Sequence, residues 1–173
     1  ASDTGVDITI EGLDSNWDSL SETIRINGTT PVRTSNSFIR VLSTTNTGSN
    51  TIIGNITFTQ DGSNVVAYIQ DGVGRGLSGD YAIPAGYTGY LYKGNASVGK
   101  GGDAEIRMYV KYFGKTWIVG HVAQIYENNY TYDFTFPSVL PEKTDMKVTA
   151  TTTTTGTSVA CNFDILLVKN PNN

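Results

Sequence analysis

Apolar and polar residues alternate along short segments of this chain, with a period of two residues. The alternation is typical of a β-strand that has one face in the core and one face in solvent. It is clearest in the segment 104–113, whose apolar side comprises Ala104, Ile106, Met108, Val110 and Tyr112. No segment longer than a few residues has helical spacing. The pattern predicts strands at residues 6–11, 20–26, 38–42, 52–58, 65–69, 87–92, 104–113, 116–126, 130–136, 146–150 and 158–168.

Short turns separate the predicted strands. Asn-Gly, Asp-Gly and Pro-Ala-Gly sequences occur at 27–28, 61–62, 71–72 and 84–86, and each favours a reversal of the chain. Short strands joined by such turns indicate an all-β, antiparallel, two-sheet β-sandwich. We expect a jelly-roll-like sandwich, with an immunoglobulin-like sandwich as the alternative. The length of 173 residues fits one domain, so we expect a single β-sandwich domain over residues 1–173.

Strand parity assigns several side chains to the core. Val110 lies in the strand 104–113, which we expect at the centre of its sheet. Trp117 shares its parity with Ile125 and is expected in the core or at the mouth of the sandwich. The segment 130–136 has an aromatic face that we also expect in the core. That face comprises Tyr130, Tyr132, Phe134 and Phe136.

Two features of the C-terminal part need an interpretation. Cys161, the one cysteine, falls on the apolar side of the segment 158–168, so we expect a small core residue and no intramolecular disulfide. Residues 149–157 have the sequence TATTTTTGT, which resembles a low-complexity linker. Because threonine favours strands and strands flank this segment, it predicts a hairpin with its turn at Gly156 and its polar face outward.

The charge pattern excludes some classes of partner. The formal net charge is −4, and the basic residues are scattered singly along the sequence. A nucleic-acid binder normally clusters Lys and Arg, so we expect no nucleic-acid partner. No apolar run reaches membrane-spanning length, and the start of the chain lacks the pattern of a signal segment. We therefore expect no membrane association.

Two motifs resemble ligand sites. Residues 74–79, GRGLSG, match G-x-G-x-x-G, but the sequence that follows cannot begin the helix that a pyrophosphate site needs, so a Gly-rich loop is the better interpretation. Asp14, Asn16 and Asp18 have the spacing that begins a calcium loop, yet its twelfth position is Arg25 instead of Glu. A looser calcium site in this turn is the alternative to a turn capped by its own side chains. Our expectation is no cofactor and no metal.

His121 is the only histidine, which excludes a cluster of histidine ligands. A catalytic pair would require Cys161 or a serine beside it, and neither residue lies in a recognisable nucleophile motif. We expect a packed or interfacial histidine, no catalytic residue and no enzyme.

Tyrosines are concentrated around the Pro-Ala-Gly turn. An exposed tyrosine supplies a large contact area at a low cost in side-chain entropy, so a tyrosine-rich edge suits contacts with sugars or with another protein. The candidate interaction surface comprises Trp17, Tyr87, Tyr90 and Tyr92.

Several segments of the sequence resemble a known group of proteins. The segment GLDSNWDSLSETIRINGTTPVRTSNSFIRVL (12–42) is similar to virion structural proteins of marine tailed bacteriophages, especially those of cyanobacteria and other ocean bacteria. Further similar segments follow in the order in which they occur in those phage proteins, so the resemblance spans nearly the whole chain. They are YAIPAGYTGYL (81–91), RMYVKYFG (107–114), YTYDFTFPSVLPEKTDMKV (130–148) and FDILLVKN (163–170).

The resemblance implies a non-enzymatic structural protein on the outer surface of a virion that is assembled in the bacterial cytoplasm. An accessory capsid part, such as a decoration or knob module, is the role we expect. Its partners would be the capsid shell and other copies of itself, and we expect a trimer. The alternative is a carbohydrate-binding or receptor-recognition module, such as an adhesin or fibre head, that contacts a glycan on the host surface.

Overall fold

The computed structural model describes residues 3–171 of the chain. Within this range no residue is helical, and no helix is long and apolar enough to cross a membrane. The all-β class is therefore confirmed. The strands are β1 (Thr4–Leu13), β2 (Ser19–Asn27), β3 (Arg40–Asn46), β4 (Ile56–Gln60), β5 (Asn64–Ile69), β6 (Asp80–Ala82), β7 (Tyr87–Val98), β8 (Asp103–Lys111), β9 (Ile118–Tyr126), β10 (Asn129–Leu140), β11 (Asp145–Thr151) and β12 (Val159–Lys169).

Every expected strand overlaps an observed one, and β6 is the strand that sequence reasoning missed. It has only three residues, which is too short for alternation to show. The chain divides into two compact units, unit 1 (Ala1–Ser78) and unit 2 (Gly79–Asn173). The expected single domain over residues 1–173 stays a prediction.

Unit 1 is organised around β1. This strand pairs antiparallel with β2 on one side and β3 on the other, while β4 and β5 form a hairpin. Val6, Ile8 and Ile10 of β1 are at most 2% exposed, which confirms the alternation predicted there. The core of the unit is completed by Ile24, Ile52 and Ile69.

Unit 2 consists of two antiparallel sheets, with strand orders β10-β7-β12 and β6-β11-β8-β9. Side chains of both sheets share two buried clusters. One cluster includes Ala96 of β7 and Ile106 of β8, and the other includes Leu91 of β7 and Val110 of β8. Unit 2 is therefore a two-sheet sandwich, and β8 lies inside its sheet as predicted. The choice between a jelly-roll and an immunoglobulin-like subtype stays a prediction.

The expected position of Trp117 is wrong because β9 contains a bulge. Tyr109 of β8 pairs with Val119, but the preceding residue of β8 pairs with His121, so Gly120 is an extra residue. One extra residue reverses the alternation on one side of the bulge. Trp117 and Val119 are consequently 40% and 48% exposed. Trp117 lies outside the core, with the ammonium nitrogen of a neighbouring lysine 4.6 Å from its ring centre.

The aromatic face predicted for the segment 130–136 is only partly in the core. Tyr130 and Phe134 pack against the buried clusters, whereas Tyr132 and Phe136 are 38% and 84% exposed. The register between β10 and β7 shifts between Asp133 and Ser138, and this shift breaks the period of two at Phe136. Tyr132 precedes the shift and lies on β10, an edge strand of its sheet.

The hairpin predicted for residues 149–157 is also wrong. β11 pairs with β6 and β8 in one sheet, and β12 pairs with β7 in the other, so the segment crosses between sheets. Gly156 does adopt a positive φ of 80° in this crossing. The Asp103 carboxylate holds the loop, because it accepts hydrogen bonds from the hydroxyls of Thr153 and Thr154 and from the Thr154 amide. These bonds, first that of Thr153, lower the pKa of Asp103.

Candidate interaction surfaces and inter-sheet cleft

An apolar row crosses the outer face of the three-stranded sheet of unit 2. Tyr90 of β7 pairs with Val139 of β10 on one side and with Leu166 of β12 on the other. The next residue of β7, Leu91, is buried in the core, so Tyr90 faces outward. Val139 and Leu166 are 54% and 50% exposed. We call these three side chains the outer apolar row.

Only part of the expected aromatic surface is brought together. Tyr90 belongs to the outer apolar row, and Tyr92, 42% exposed, lies two residues along the same strand. Tyr87 packs instead against the core of unit 2. Trp17 belongs to unit 1, where its ring lies 5.2 Å from the guanidinium carbon of Arg40.

Val139 and Leu166 are the residues of this surface that sequence reasoning missed. A signal for one of them exists in the run Ile-Leu-Leu-Val at 165–168, in which alternation is lost. An unbroken apolar run predicts a strand that is apolar on both faces. Val168, 43% exposed, lies on the same side of β12 as Leu166 and extends the apolar surface.

The Asp14–Asp18 turn, where a looser calcium site was the alternative, is capped by its own side chain. The Asp14 carboxylate accepts hydrogen bonds from the backbone amides of Asn16 at 2.8 Å and Asp18 at 3.0 Å. Trp17 completes the turn at a positive φ of 71°. The geometry is that of a turn capped by its own side chains, the interpretation to which a calcium site was the alternative. Among residues 3–171, no group of three or more His, Cys, Asp or Glu side chains could hold a metal ion.

The glycines of residues 74–79 allow close approach of backbones. A Cβ atom on Gly76 would lie 2.3 Å from the hydroxyl oxygen of Thr44, and one on Gly79 would lie 2.7 Å from the carbonyl oxygen of Val148. The Gly76 amide also donates to the Thr44 carbonyl at 2.8 Å. These contacts explain the glycines by packing, in agreement with the interpretation of the segment as a loop.

A cleft of about 60 Å³ lies between the sheets of unit 2. No charged side chain lines it among the residues that the structure describes, so it suits a small apolar group better than acid–base chemistry. Its lining includes Met108, His121, Tyr130, Tyr132, Phe134 and Cys161.

His121 is a packed residue in the wall of this cleft. Its Nε2 atom lies 2.8 Å from the Tyr130 hydroxyl oxygen, within hydrogen-bond distance. Its ring stacks on Tyr130 and lies 4.4 Å, centre to centre, from the tilted ring of Tyr132. Tyr132 in turn meets Phe134 edge to face at 4.6 Å. The four aromatic rings therefore form one continuous cluster.

Cys161 lies at the exposed rim of the cleft, so its expected burial in the core is wrong. Its parity was assigned correctly, since it pairs with Ala96, a core residue. It is exposed because β12 is an edge strand of its sheet. Partial burial raises the pKa of the thiol, which opposes formation of a nucleophilic thiolate.

The outer face of the four-stranded sheet carries lysines over aromatic rings. Lys147 Nζ lies 4.6 Å from the Trp117 ring centre and 5.3 Å from that of Tyr109, and Lys111 Nζ lies 5.9 Å from Trp117. Cation–π contacts of this kind occupy the ring face. Trp117 is therefore a poor platform for stacking on a sugar.

No family model, curated protein or solved structure matches this chain.

Proposed function

We propose that this chain is a non-enzymatic structural protein of a marine bacteriophage virion, an accessory decoration or knob module on the outside of the capsid. The observation that carries the proposal is the outer apolar row of Tyr90, Val139 and Leu166. A row of half-exposed apolar side chains across a sheet suits burial against another protein. The sequence resemblance to phage structural proteins supplies the setting, and the capsid shell and other copies of the chain are the partners.

The physical role follows from the rigidity of the sandwich. Two inter-sheet clusters hold the sheets of unit 2 together, so the outer apolar row is presented on a firm surface. A preorganised surface loses little entropy when it binds. Such a part stabilises a shell by burying area between neighbouring subunits.

Mass spectrometry of purified virions with copy-number determination tests this function. Hundreds of copies are expected for a shell decoration, and a dozen or fewer would point to a vertex or tail position. Leu166→Asp should reduce incorporation, because it places a charge in the buried contact. The matched control is Leu77→Asp, at a leucine of unit 1 that is 83% exposed. Equal incorporation of the two variants would contradict a role for the outer apolar row.

A glycan-binding module is the competing function. It requires accessible aromatic rings on one surface. Tyr92, which is 42% exposed, and the partly buried Tyr90 are the candidates on β7, whereas Tyr87 packs against the core of unit 2. Saturable binding of a host glycan that is lost in Tyr90→Ala and Tyr92→Ala would favour this function over capsid decoration.

A further inference from the structure

The strand β9 forms one edge of the four-stranded sheet of unit 2. Its strand partner within residues 3–171 is β8 alone, so its other side has unpaired backbone groups. Its sequence, Ile-Val-Gly-His-Val-Ala-Gln-Ile-Tyr, contains no Asp, Glu, Lys or Arg. Charged residues, proline and short length are the usual devices that prevent an edge strand from pairing with another chain. β9 has none of these three, and its bulge at Gly120 lies before the segment 122–126.

The other edges of unit 2 are protected. β6 has three residues. β10 contains Asp133 and Pro137, and its register is interrupted between Asp133 and Ser138. β12 contains Asp164 and Lys169, and its register with β7 also shifts. Among the described strands of nine residues or more, β9 alone lacks a charged side chain.

The hydrogen-bond pattern identifies which backbone groups of β9 are free. The Glu127 amide donates to the Gly102 carbonyl at 3.1 Å, in the same register in which Ala104 pairs with Ile125. In an antiparallel pair, alternate residues direct both backbone groups toward the partner strand. His121, Ala123 and Ile125 are therefore bonded to β8. The N–H and C=O groups that point to the open edge belong to Val122, Gln124 and Tyr126.

We propose that β9 pairs antiparallel with β9 of a second copy about a two-fold axis at Gln124. In this register Gln124 lies opposite Gln124 of the second copy, and Val122 lies opposite its Tyr126. Every free backbone group of the three residues then finds a partner, and two four-stranded sheets become one continuous sheet of eight strands. The pairing is isologous, because both copies contribute the same segment.

The side chains of β9 fit this register. Tyr126 and Val122 are 70% and 48% exposed, so each copy has an aromatic and a β-branched side chain free to meet its counterpart. Aromatic–β-branched pairs are favourable across antiparallel strands, and no like charges meet in this register. The side-chain amide of Gln124 donates to the carboxylate of Glu105 in the same copy, at 2.8 Å. This bond does not use the backbone groups of Gln124.

The β9 pairing supplies a surface for the self-association that the proposed function includes, and the pairing can be wrong while the capsid role is right. A two-fold contact joins copies in pairs, so it would replace the trimer expected from the resemblance. The mass of the full chain in solution, measured by light scattering over a range of concentrations, should be that of a dimer. A chain that stays monomeric at high concentration would overturn the pairing.

Cross-linking tests the register in the full chain. The Gln124→Cys variant is made in a Cys161→Ser background, so that one thiol remains. The Cα atoms of a hydrogen-bonded antiparallel pair are about 5.5 Å apart, which suits a disulfide. Mild oxidation should convert most of the variant to a covalent dimer. The matched control is Val66→Cys in the same background, at a site 43% exposed on β5, and it should give little dimer.

A charge variant tests the energy of the same contact. Gln124→Lys places two like charges opposite each other and should weaken dimerisation roughly tenfold or more, while Val66→Lys should leave it unchanged. Equal melting temperatures for the two lysine variants at low concentration show that folding is intact. Self-association without a Gln124→Cys cross-link would overturn the β9 pairing and leave the capsid role standing. A chain that forms the β9 dimer but is absent from virions would overturn the capsid role and leave the β9 pairing standing.

Discussion

The carboxylate of Glu22 accepts a hydrogen bond of 2.7 Å from the backbone amide of Ser35. Glu22 is the polar exception on the apolar face of β2, and this bond shows why a carboxylate occupies that position. It also accepts hydrogen bonds from the amide and the side chain of Asn36. A single side chain thereby anchors the connection between β2 and β3, which contains no regular secondary structure between residues 31 and 38.

The pH dependence of stability should reflect this anchor. The Ser35 amide, followed by the Asn36 amide, lowers the pKa of Glu22. A depressed folded-state pKa means that the stabilisation is fully present above the ordinary pKa and is lost as the pH falls through the lowered one. Glu22→Gln should therefore be less stable than the native chain at neutral pH, by less than about 1 kcal/mol because the group is exposed.

Urea denaturation at neutral pH and near pH 3 measures this difference. The gap between the native chain and Glu22→Gln should narrow at the lower pH. Glu127→Gln, at an exposed turn position, is the control and should show no such change. A gap that widens on acidification would contradict the assigned anchor.

The core face of β8 can be tested by a buried charge. Val110→Asp should destabilise unit 2 by about 3 kcal/mol or more, because Val110 is 5% exposed and an unpaired carboxylate there loses its hydration. Val119→Asp makes the same change on the neighbouring strand at a site that is 48% exposed, and it should cost far less. Thermal melting distinguishes them. Equal melting temperatures would show that the face assignment is wrong.

Close backbone packing at Gly12 predicts a large effect from one methyl group. A Cβ atom there would lie 2.1 Å from the Arg40 carbonyl oxygen and 2.7 Å from the Phe38 ring, and the carbonyl belongs to the paired strand β3. Gly12→Ala should therefore cost about 1 to 3 kcal/mol in stability. Gly94→Ala is the control, since no atom lies within 4 Å of the added carbon. Chemical denaturation of both variants measures the difference, and similar losses would contradict this account.

The Asp14 turn should stabilise unit 1 without calcium. Asp14→Ala removes the acceptor of two backbone amides and should lower stability by about 1 kcal/mol. Asp18→Ala is the matched control. It removes one negative charge from the same turn but keeps the Asp18 backbone amide that donates one of those bonds. Melting temperatures of the native chain should agree in chelator and in added calcium. A large rise on addition of calcium that Asp14→Ala abolishes would instead identify a calcium site.

Local sequence was sufficient to predict the strands and most of their faces. Val6, Ile8 and Ile10 alternate with polar residues and are buried together, and the same holds for Ala104, Ile106 and Val110. A period of two is a property of each strand's own backbone, so it can be recognised without knowledge of the partner strands. The sequence was also sufficient to predict that Tyr90 lies on the surface and that Asp14 belongs to a turn capped by its own side chains.

The pairing between strands determined the exposure of some side chains that the alternation did not predict. A single extra residue at Gly120 turned Trp117 out of the core, and the register shift after Asp133 did the same to Phe136. Bulges arise from the fit between two strands, so one strand's sequence does not contain them.

The same principle explains the segment after β11 and the exposure of Cys161. Which sheet a strand joins depends on contacts between residues far apart in the sequence. β11 and β12 are neighbours in the chain but lie in different sheets, and β12 is an edge strand, so Cys161 meets solvent. Sequence therefore determined the class of structure and the local faces. The outer apolar row, the cleft and the open edge of β9 exist only because tertiary pairing placed those strands together.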